Sequence, residues 1–212
     1  GTRVPITNDV ALDWSPVWSP DGRYVYFSSD RGGAMNIWRI AVDQHTGAVQ
    51  GPPEPITNGV QASAERARFS RDGSRFAFST DDGIVVRDAG QRSYRVLPGT
   101  QRGEAPSFSP DGEWIAFQIR GHLRKVAVRG GSSEPIVARD SAVSGAMQWG
   151  PTGAIIFESG GGLSLIPAGS AIPKLLRHAH SASSPTFTPD GRGALYLASQ
   201  AGGKPPVTVC TD

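Results

Sequence analysis

Apolar and aromatic residues along the chain gather into five short runs, each of which follows a polar, glycine-containing turn sequence. The runs are Tyr24-Val25-Tyr26-Phe27, Phe76-Ala77-Phe78, Trp114-Ile115-Ala116-Phe117, Ile155-Ile156-Phe157 and Ala194-Leu195-Tyr196-Leu197. Because the apolar positions are consecutive rather than alternating, we expect β-strands that are covered on both faces. A further strand is predicted after each run, and a more polar outer strand after four of them.

The turn sequence before each run is a repeated phrase of five residues. The first copy is Trp18-Ser19-Pro20-Asp21-Gly22, the others span 69–73, 108–112, 149–153 and 187–191, and their final glycines are 51, 39, 41 and 38 residues apart. A period near 40 to 45 residues is typical of the four-stranded blades of a β-propeller. The sequence therefore predicts an all-β propeller of four-stranded antiparallel blades, with five blades.

Each residue type in the phrase has a physical role in a tight turn. Proline presets φ for the first turn position, aspartate tolerates the bridge region, and glycine takes the left-handed conformation. A type I turn closed by a glycine bulge joins neighbouring antiparallel strands. We assign structural turn roles to Asp21, Gly22, Asp72, Gly73, Asp111, Gly112, Gly153, Asp190 and Gly191. Arg71 replaces the proline of the second copy, and Thr152 replaces the aspartate of the fourth.

The two ends of the chain predict how the ring closes. The fifth copy has three strands before the sequence stops, whereas residues 3–7 resemble the outer strand around Pro55-Ile56-Thr57 without a blade of their own. Pairing 3–7 with the fifth blade would complete it and remove exposed sheet edges. We expect one domain over 1–212, with blades near 15–57, 64–97, 103–137, 144–176, and 183–210 plus 3–7. The alternative is a fragment of a six- to eight-bladed ring.

The first copy resembles a known repeat. Trp14-Ser15-Pro16-Val17-Trp18-Ser19-Pro20-Asp21-Gly22-Arg23, followed by residues 27–33 and by Asn36-Ile37-Trp38, is similar to the TolB-like (WD40-like) β-propeller repeat, and the likeness runs through all five copies. In that family the propeller is a non-catalytic platform, and residues 43–47 and 51–57 look most like regulator-associated versions. The resemblance implies a sensory or partner-binding scaffold, not an enzyme, in a larger bacterial signalling or envelope protein. It also implies a periplasmic or extracytoplasmic location, with a cytoplasmic one left open.

The composition narrows the possible partners. The 212 residues carry 21 basic and 19 acidic side chains, a net charge of +2, so no nucleic-acid partner is expected. A single cysteine, Cys210, excludes an internal disulfide and a cysteine-rich zinc site.

No apolar stretch reaches the roughly 18 residues of a membrane helix, so no membrane insertion is expected. The chain begins with glycine and without a signal segment, as a processed or excised chain would. We expect a monomer.

Candidate catalytic motifs are few. No Gly-x-Ser-x-Gly elbow occurs, and the Gly130-Gly131 and 160–162 segments are typical of hairpins rather than phosphate loops. His178 and His180 alternate in an extended segment, which would let both imidazoles meet one ion, and some propeller lyases acting on pectic oligosaccharides hold manganese with such a pair. Such a site needs further ligands, but the position three residues before His178 is Leu175, and no third histidine lies on a comparable loop. We therefore predict no metal and no cofactor. A metal-dependent lyase or hydrolase using His178 and His180 remains the alternative.

A binding platform accounts better for the remaining polar and aromatic residues. Segments entering the innermost strands converge at one mouth of the channel. They carry the candidate partner-binding residues Trp14, Arg66, Arg68, Arg102, Glu104, Asp140, His178 and His180. Trp14 has no aromatic counterpart in the other copies, and Trp and Arg are enriched at interface hot spots. The competing interpretation packs Trp14 between blades and pairs the arginines with Glu65 and Glu104. We predict a protein or peptide partner at this mouth. A carbohydrate-binding module would need an aromatic residue at one loop position per blade, and Trp14 is alone.

Overall fold

The repeated phrase forms a turn in each of five sheets. The computed structural model describes residues 5–57, 67–88, 91, 93–137, 142–160, 162–178, 182–188, 190–198 and 207–211. All strand pairs within these residues are antiparallel. The predicted all-β fold of successive antiparallel four-stranded sheets is therefore confirmed.

Sheets one to four each contain four strands within the described residues, and the fifth contains three. In chain order, the strands of the first three sheets are β1 (Asp13–Trp18), β2 (Tyr24–Ser29), β3 (Asn36–Ala41), β4 (Glu54–Pro55), β5 (Arg68–Phe69), β6 (Arg75–Thr80), β7 (Gly83–Asp88), β8 (Arg95–Val96), β9 (Glu104–Phe108), β10 (Trp114–Ile119), β11 (His122–Ala127) and β12 (Glu134–Pro135). Those of the last two sheets are β13 (Val143–Trp149), β14 (Ile155–Ser159), β15 (Gly162–Ile166), β16 (Lys174–His178), β17 (Ala182–Phe187), β18 (Gly193–Ala198) and β19 (Val207–Thr211).

The core consists of apolar layers between consecutive sheets. Tyr26 and Ile37 of the first sheet pack against Phe76 and Phe78 of the second. The other face of the second sheet packs against the third, and the third packs against the fourth in the same way. Phe78, Phe117 and Phe157, which occupy equivalent positions in three second strands, are completely buried. Each of the first three runs of consecutive apolar residues therefore fills two layers at once, one on each face of its sheet.

The five turns share one geometry. In each, the backbone N–H of the glycine donates to the carbonyl oxygen three residues earlier at 2.8 to 3.0 Å, and the glycine has a φ between 69° and 89°. In four turns a hydroxyl also donates to the turn aspartate. These pairs are Ser19–Asp21 (2.5 Å), Ser70–Asp72 (2.7 Å), Ser109–Asp111 (2.5 Å) and Thr188–Asp190 (2.6 Å). The same hydroxyl accepts the N–H of the residue five positions later, which fixes the turn to the following strand.

The fourth turn differs because of its neighbour in space. Gly150 stands where the other copies have serine or threonine, and a Cβ built on it would lie 2.4 Å from the ring of Phe187. Phe187 ends the innermost strand of the fifth sheet, so the space for a side chain at position 150 is already filled.

Closure of the ring stays a prediction. Residues 3 and 4 of the proposed closing strand lie outside the described residues. Ile6 packs beside a core cluster formed by Val25, Phe27, Ile40 and Val42, on the face of the first sheet opposite to the second sheet. A closing strand of the fifth sheet would have to lie against that face.

Candidate functional site

The short strand β5 and the four longer innermost strands β1, β9, β13 and β17 surround the centre of the molecule. Their first residues lie at one end, which we call the entry face, and the glycine turns lie at the other end, the turn face. Each of these four strands contains an irregularity in its pairing with the second strand of its sheet. Bulges of this kind bend a strand and redirect its side chains.

Three of the bulges hold a non-glycine residue in the left-handed region directly before a proline. These residues are Ser15 (φ 51°), Ala105 (φ 51°) and Ser184 (φ 54°). In the fourth sheet Gly145 stands at the corresponding place, where a Cβ would be 2.0 Å from a carboxylate oxygen of Glu158. Glu158 accepts the backbone N–H of Ser184 at 2.7 Å, which links the fourth sheet to the fifth.

A central cavity of about 430 Å³ is lined by innermost strands of the first, second, fourth and fifth sheets. Trp14 and Arg68, both predicted from the sequence, contribute to this cavity together. The side chain of Trp14 is 57% exposed, so a core role for it between the blades is not supported. Arg68 donates to the carbonyl oxygen of Ala67 at 3.2 Å.

The segment that carries Trp14 is fixed to the first sheet by Arg31. The guanidinium of Arg31 donates to both carboxylate oxygens of Asp13 at 3.0 Å, to Asp9 at 3.0 Å and to the Ser29 hydroxyl at 2.9 Å. It also lies over the ring of Trp38, 5.5 Å from the centroid. Burial tends to raise the pKa of Asp13, but hydrogen bonds from Ser29 and Arg31 outweigh it and hold that pKa below its ordinary value.

An entry cavity of about 710 Å³ lies beside the central one, between the second, third and fourth sheets. Its lining includes Arg102 and Glu104, which were predicted from the sequence, and Asp81, Gln118 and Ser144, which were not. Gln118 is buried and donates from Nε2 to a carboxylate oxygen of Glu104 at 3.0 Å. The structure therefore distributes the described candidate residues over two adjacent cavities rather than one ring of loops.

The remaining candidates are described partly or not at all. Arg66, Asp140 and His180 lie outside the described residues. His178 is the last residue of β16, which is the outer strand of its sheet. Its backbone therefore belongs to a strand and not to a loop. Its side chain is outside the described part of the chain.

Within the described residues, no group of three or more His, Cys, Asp or Glu side chains has an arrangement that could hold a metal ion. No helix among those residues has the length and hydropathy to cross a bilayer.

One signal in the sequence could have located the bulges, and none could have located the approach of Asp81. Proline within a sheet is confined to edge strands, first strand positions and bulges, and Ser15-Pro16, Ala105-Pro106 and Ser184-Pro185 place a proline inside β1, β9 and β17, which are edge strands that are also bulged. Asp81 lies in a hairpin of the second sheet, and its approach to Arg102 and Glu104 of the third sheet depends on how the blades stack. No local pattern encodes that contact.

The fold and the channel-mouth cavities define a β-propeller of repeated blades. The family model described as TolB beta propeller domain matches residues 1–153, and the chain belongs to that family. The confirmed family agrees with the resemblance seen in the repeated phrase.

One curated protein matches part of the sequence, and solved structures share the fold. The chain is 30% identical over 131 residues to the uncharacterized protein Atu1656 of Agrobacterium fabrum, which covers 55% of the chain and 43% of that protein. The crystal structure of TolB from Acinetobacter baumannii superposes with a TM-score of 0.73 at 19% identity, covering 97% of the chain and 53% of TolB. The oligogalacturonate lyase of Vibrio parahaemolyticus superposes with a TM-score of 0.69 at 15% identity, covering 93% of the chain and 62% of the lyase. The chain thus spans about half the length of these relatives.

Proposed function

We propose that this propeller is a non-catalytic scaffold that binds a protein or peptide partner at its entry face. The observation that carries the proposal is the position of Trp14. Its side chain is 57% exposed, borders the central cavity, and lies on a strand whose start is held by the Arg31–Asp13 ion pair. A large aromatic side chain presented on a fixed backbone binds with little loss of conformational entropy.

The apolar surface around Trp14 supports the same role. Val10 and Leu12 are also exposed, at 103% and 57%, and together with Trp14 they occupy alternate positions of the segment that enters β1. Exposed apolar groups concentrated at one place are typical of interaction sites. The likeness to TolB supports a bacterial extracytoplasmic scaffold within a larger signalling or envelope protein.

The test is to capture partners from an extract of the source organism on immobilised protein, identify them by mass spectrometry, and titrate the purified partner. Trp14→Ala should weaken binding by about thirtyfold, as expected for an interface hot spot, with an unchanged unfolding temperature. Trp18→Ala is the matched control, since Trp18 is 48% exposed on the turn face and should bind normally. Equal binding by wild type and Trp14→Ala would refute the proposed interface.

A further inference from the structure

The entry cavity has the size and lining of a site for a small polar ligand. Its volume of about 710 Å³ falls within the roughly 300–1,000 Å³ of typical ligand pockets. Most of the side chains around it are polar or charged, with Ser79, Asp81, Arg102, Glu104, Gln118 and Ser144 as the chief contributors. A lining of this kind favours a ligand that carries its own charges and hydrogen-bonding groups.

Charges of opposite sign line this cavity without neutralising each other. Neither Asp81 nor Arg102 makes a hydrogen bond or ion pair with another of the described residues. The carboxylate of Glu104 accepts one hydrogen bond, from Gln118. The cavity therefore offers two carboxylates and one guanidinium whose charges a ligand can satisfy.

The backbone that carries Arg102 is fixed. Arg102 has a φ of 59°, and the N–H of Gly103 donates to the carbonyl oxygen of Thr100 at 2.7 Å. The hydroxyl of Thr100 accepts the N–H of Ile84 and donates to the carbonyl oxygen of Leu97. A Cβ on Gly103 would lie 2.7 Å from the Thr100 oxygen and 2.9 Å from the Phe117 ring. The turn is thus pinned to the second and third sheets, so Arg102 extends from a preorganised backbone.

The arrangement of charges selects among ligands. A simple anion would face Asp81 and Glu104 as well as Arg102, and a simple cation would face Arg102 as well as the two carboxylates. A ligand with an ammonium at one end and a carboxylate at the other satisfies both signs. Backbone termini of peptides supply this pair of groups, and recognition of chain termini is a recurring mode of peptide binding.

The dimensions set the length of such a peptide. A volume of about 710 Å³ is about 9 Å on an edge if taken as a cube, and an extended chain advances about 3.3 Å per residue. A peptide of about three residues therefore spans the cavity.

We propose that the entry cavity binds a short peptide with both termini free, its ammonium toward Asp81 and Glu104 and its carboxylate toward Arg102. This inference rests on the proposed binding role of the entry face and names the ligand class for one part of it. Trp14 borders the central cavity and is not part of the entry cavity.

The test uses three probes in calorimetric titrations of the full chain: tri-alanine, tri-alanine amide and N-acetyl-tri-alanine. Wild type should bind tri-alanine about tenfold more tightly than either blocked peptide, because each block removes one charge-assisted contact. Arg102→Gln should bind tri-alanine and its amide equally, and Asp81→Asn, which leaves Glu104 facing the ammonium, should distinguish tri-alanine from its acetylated form less well than wild type does. Arg120→Gln and Asp82→Asn, on neighbouring loops outside the lining, should behave as wild type.

Equal affinity of wild type for all three probes, or no binding of any, would overturn the inference. A preference for tri-alanine over its amide that persists in Arg102→Gln would also overturn it. Trp14→Ala should retain tri-alanine binding, so the two proposals fail separately. Partner capture that is the same in wild type and Trp14→Ala refutes the scaffold interface, whereas failure of the probe titrations, with Trp14-dependent capture intact, refutes only the peptide site.

Discussion

Arg31 binds both carboxylate oxygens of Asp13 at 3.0 Å, although the two residues belong to different elements of the first sheet. Asp13 begins β1 and Arg31 follows β2 in the loop that leads to β3. The Arg31 side chain is only 11% exposed, and its guanidinium also faces the Phe27 ring at 5.1 Å from the centroid. This ion pair therefore couples the segment before Trp14 to the core of the sheet.

Replacing Arg31 with glutamine should destabilise the fold. The change leaves the half-buried Asp13 carboxylate without its bidentate partner, and such losses cost about 2 kcal/mol. The unfolding temperature should fall by about 4–8 °C for a chain of this length. Differential scanning calorimetry measures this shift.

Arg23→Gln is the matched control for that substitution. Arg23 pairs with Asp21 at 2.8 Å, but its side chain is 77% exposed, and exposed ion pairs contribute little to stability. Its unfolding temperature should be nearly that of wild type. If Arg31→Gln and Arg23→Gln have the same unfolding temperature, Arg31 does not hold the entry segment in place.

The sequence alone predicted the fold because its strongest signals are local. Four of the five turns contain a hydroxyl residue, an aspartate and a glycine within four consecutive positions, and consecutive apolar residues mark the buried strand that follows. The Ser70–Asp72 hydrogen bond is equally local, and the spacing of these two residues could have indicated it.

The candidate site was predictable only in part because it is assembled by contacts between sheets. Trp14 and Arg102 were identified by residue type and loop position. The pairing of Gln118 with Glu104, and the approach of Asp81 to the same cavity, follow from strand register and blade stacking. Exposure of Trp14 likewise depends on which neighbours cover it, and a repeat template does not specify them.

The turn carboxylates should make the free energy of unfolding depend on pH in the acidic range. The Ser70 hydroxyl, followed by Ser74, holds the pKa of Asp72 at about 2 against an ordinary 3.8, and the Ser19 hydroxyl lowers that of Asp21 to about 2. Since the folded pKa lies below the unfolded one, the stabilisation is complete above pH 3.8 and is lost as pH falls toward 2. The free energy of unfolding in urea should therefore fall over that interval.

Two variants test whether the hydrogen bonds cause this dependence. Asp72→Asn removes the titrating group, and Ser70→Ala removes the hydroxyl that contributes most to the shift. Both should be less stable than wild type at pH 6 and should lose less stability on acidification. Because these turns are largely exposed, the change in slope per turn should be small. If the free energy of unfolding falls with decreasing pH as steeply in both variants as in wild type, the turns are not the source of the pH dependence.

Restoring the repeat consensus at Gly150 should destabilise the folded protein rather than stabilise it. Four of the five copies have serine or threonine at this position, so Gly150→Ser would supply the hydroxyl that the other turns use to accept the N–H five residues later. The new Cβ would lie 2.4 Å from the Phe187 ring, and forcing atoms into filled space costs about 1–3 kcal/mol. Chemical denaturation should show this loss. Gly160→Ser, where the space around a Cβ is open, should be nearly neutral, and a stabilised Gly150→Ser variant would contradict the packing described between the fourth and fifth sheets.

Removal of residues 1–7 tests whether the N-terminal segment completes the fifth sheet. Ile6 packs beside Val25 and Phe27, and Thr7 hydrogen-bonds to Asp13. Full burial of one isoleucine contributes about 1.5–3 kcal/mol, and Ile6 is partly buried, so a loss of about 1 kcal/mol or more should lower the melting temperature of the truncated chain by at least about 2 °C. Val10→Ser provides the control, because Val10 is fully exposed and its replacement should leave the melt unchanged. A truncated chain that melts like wild type would show that residues 1–7 close nothing, and the fragment of a larger ring would then be the better description.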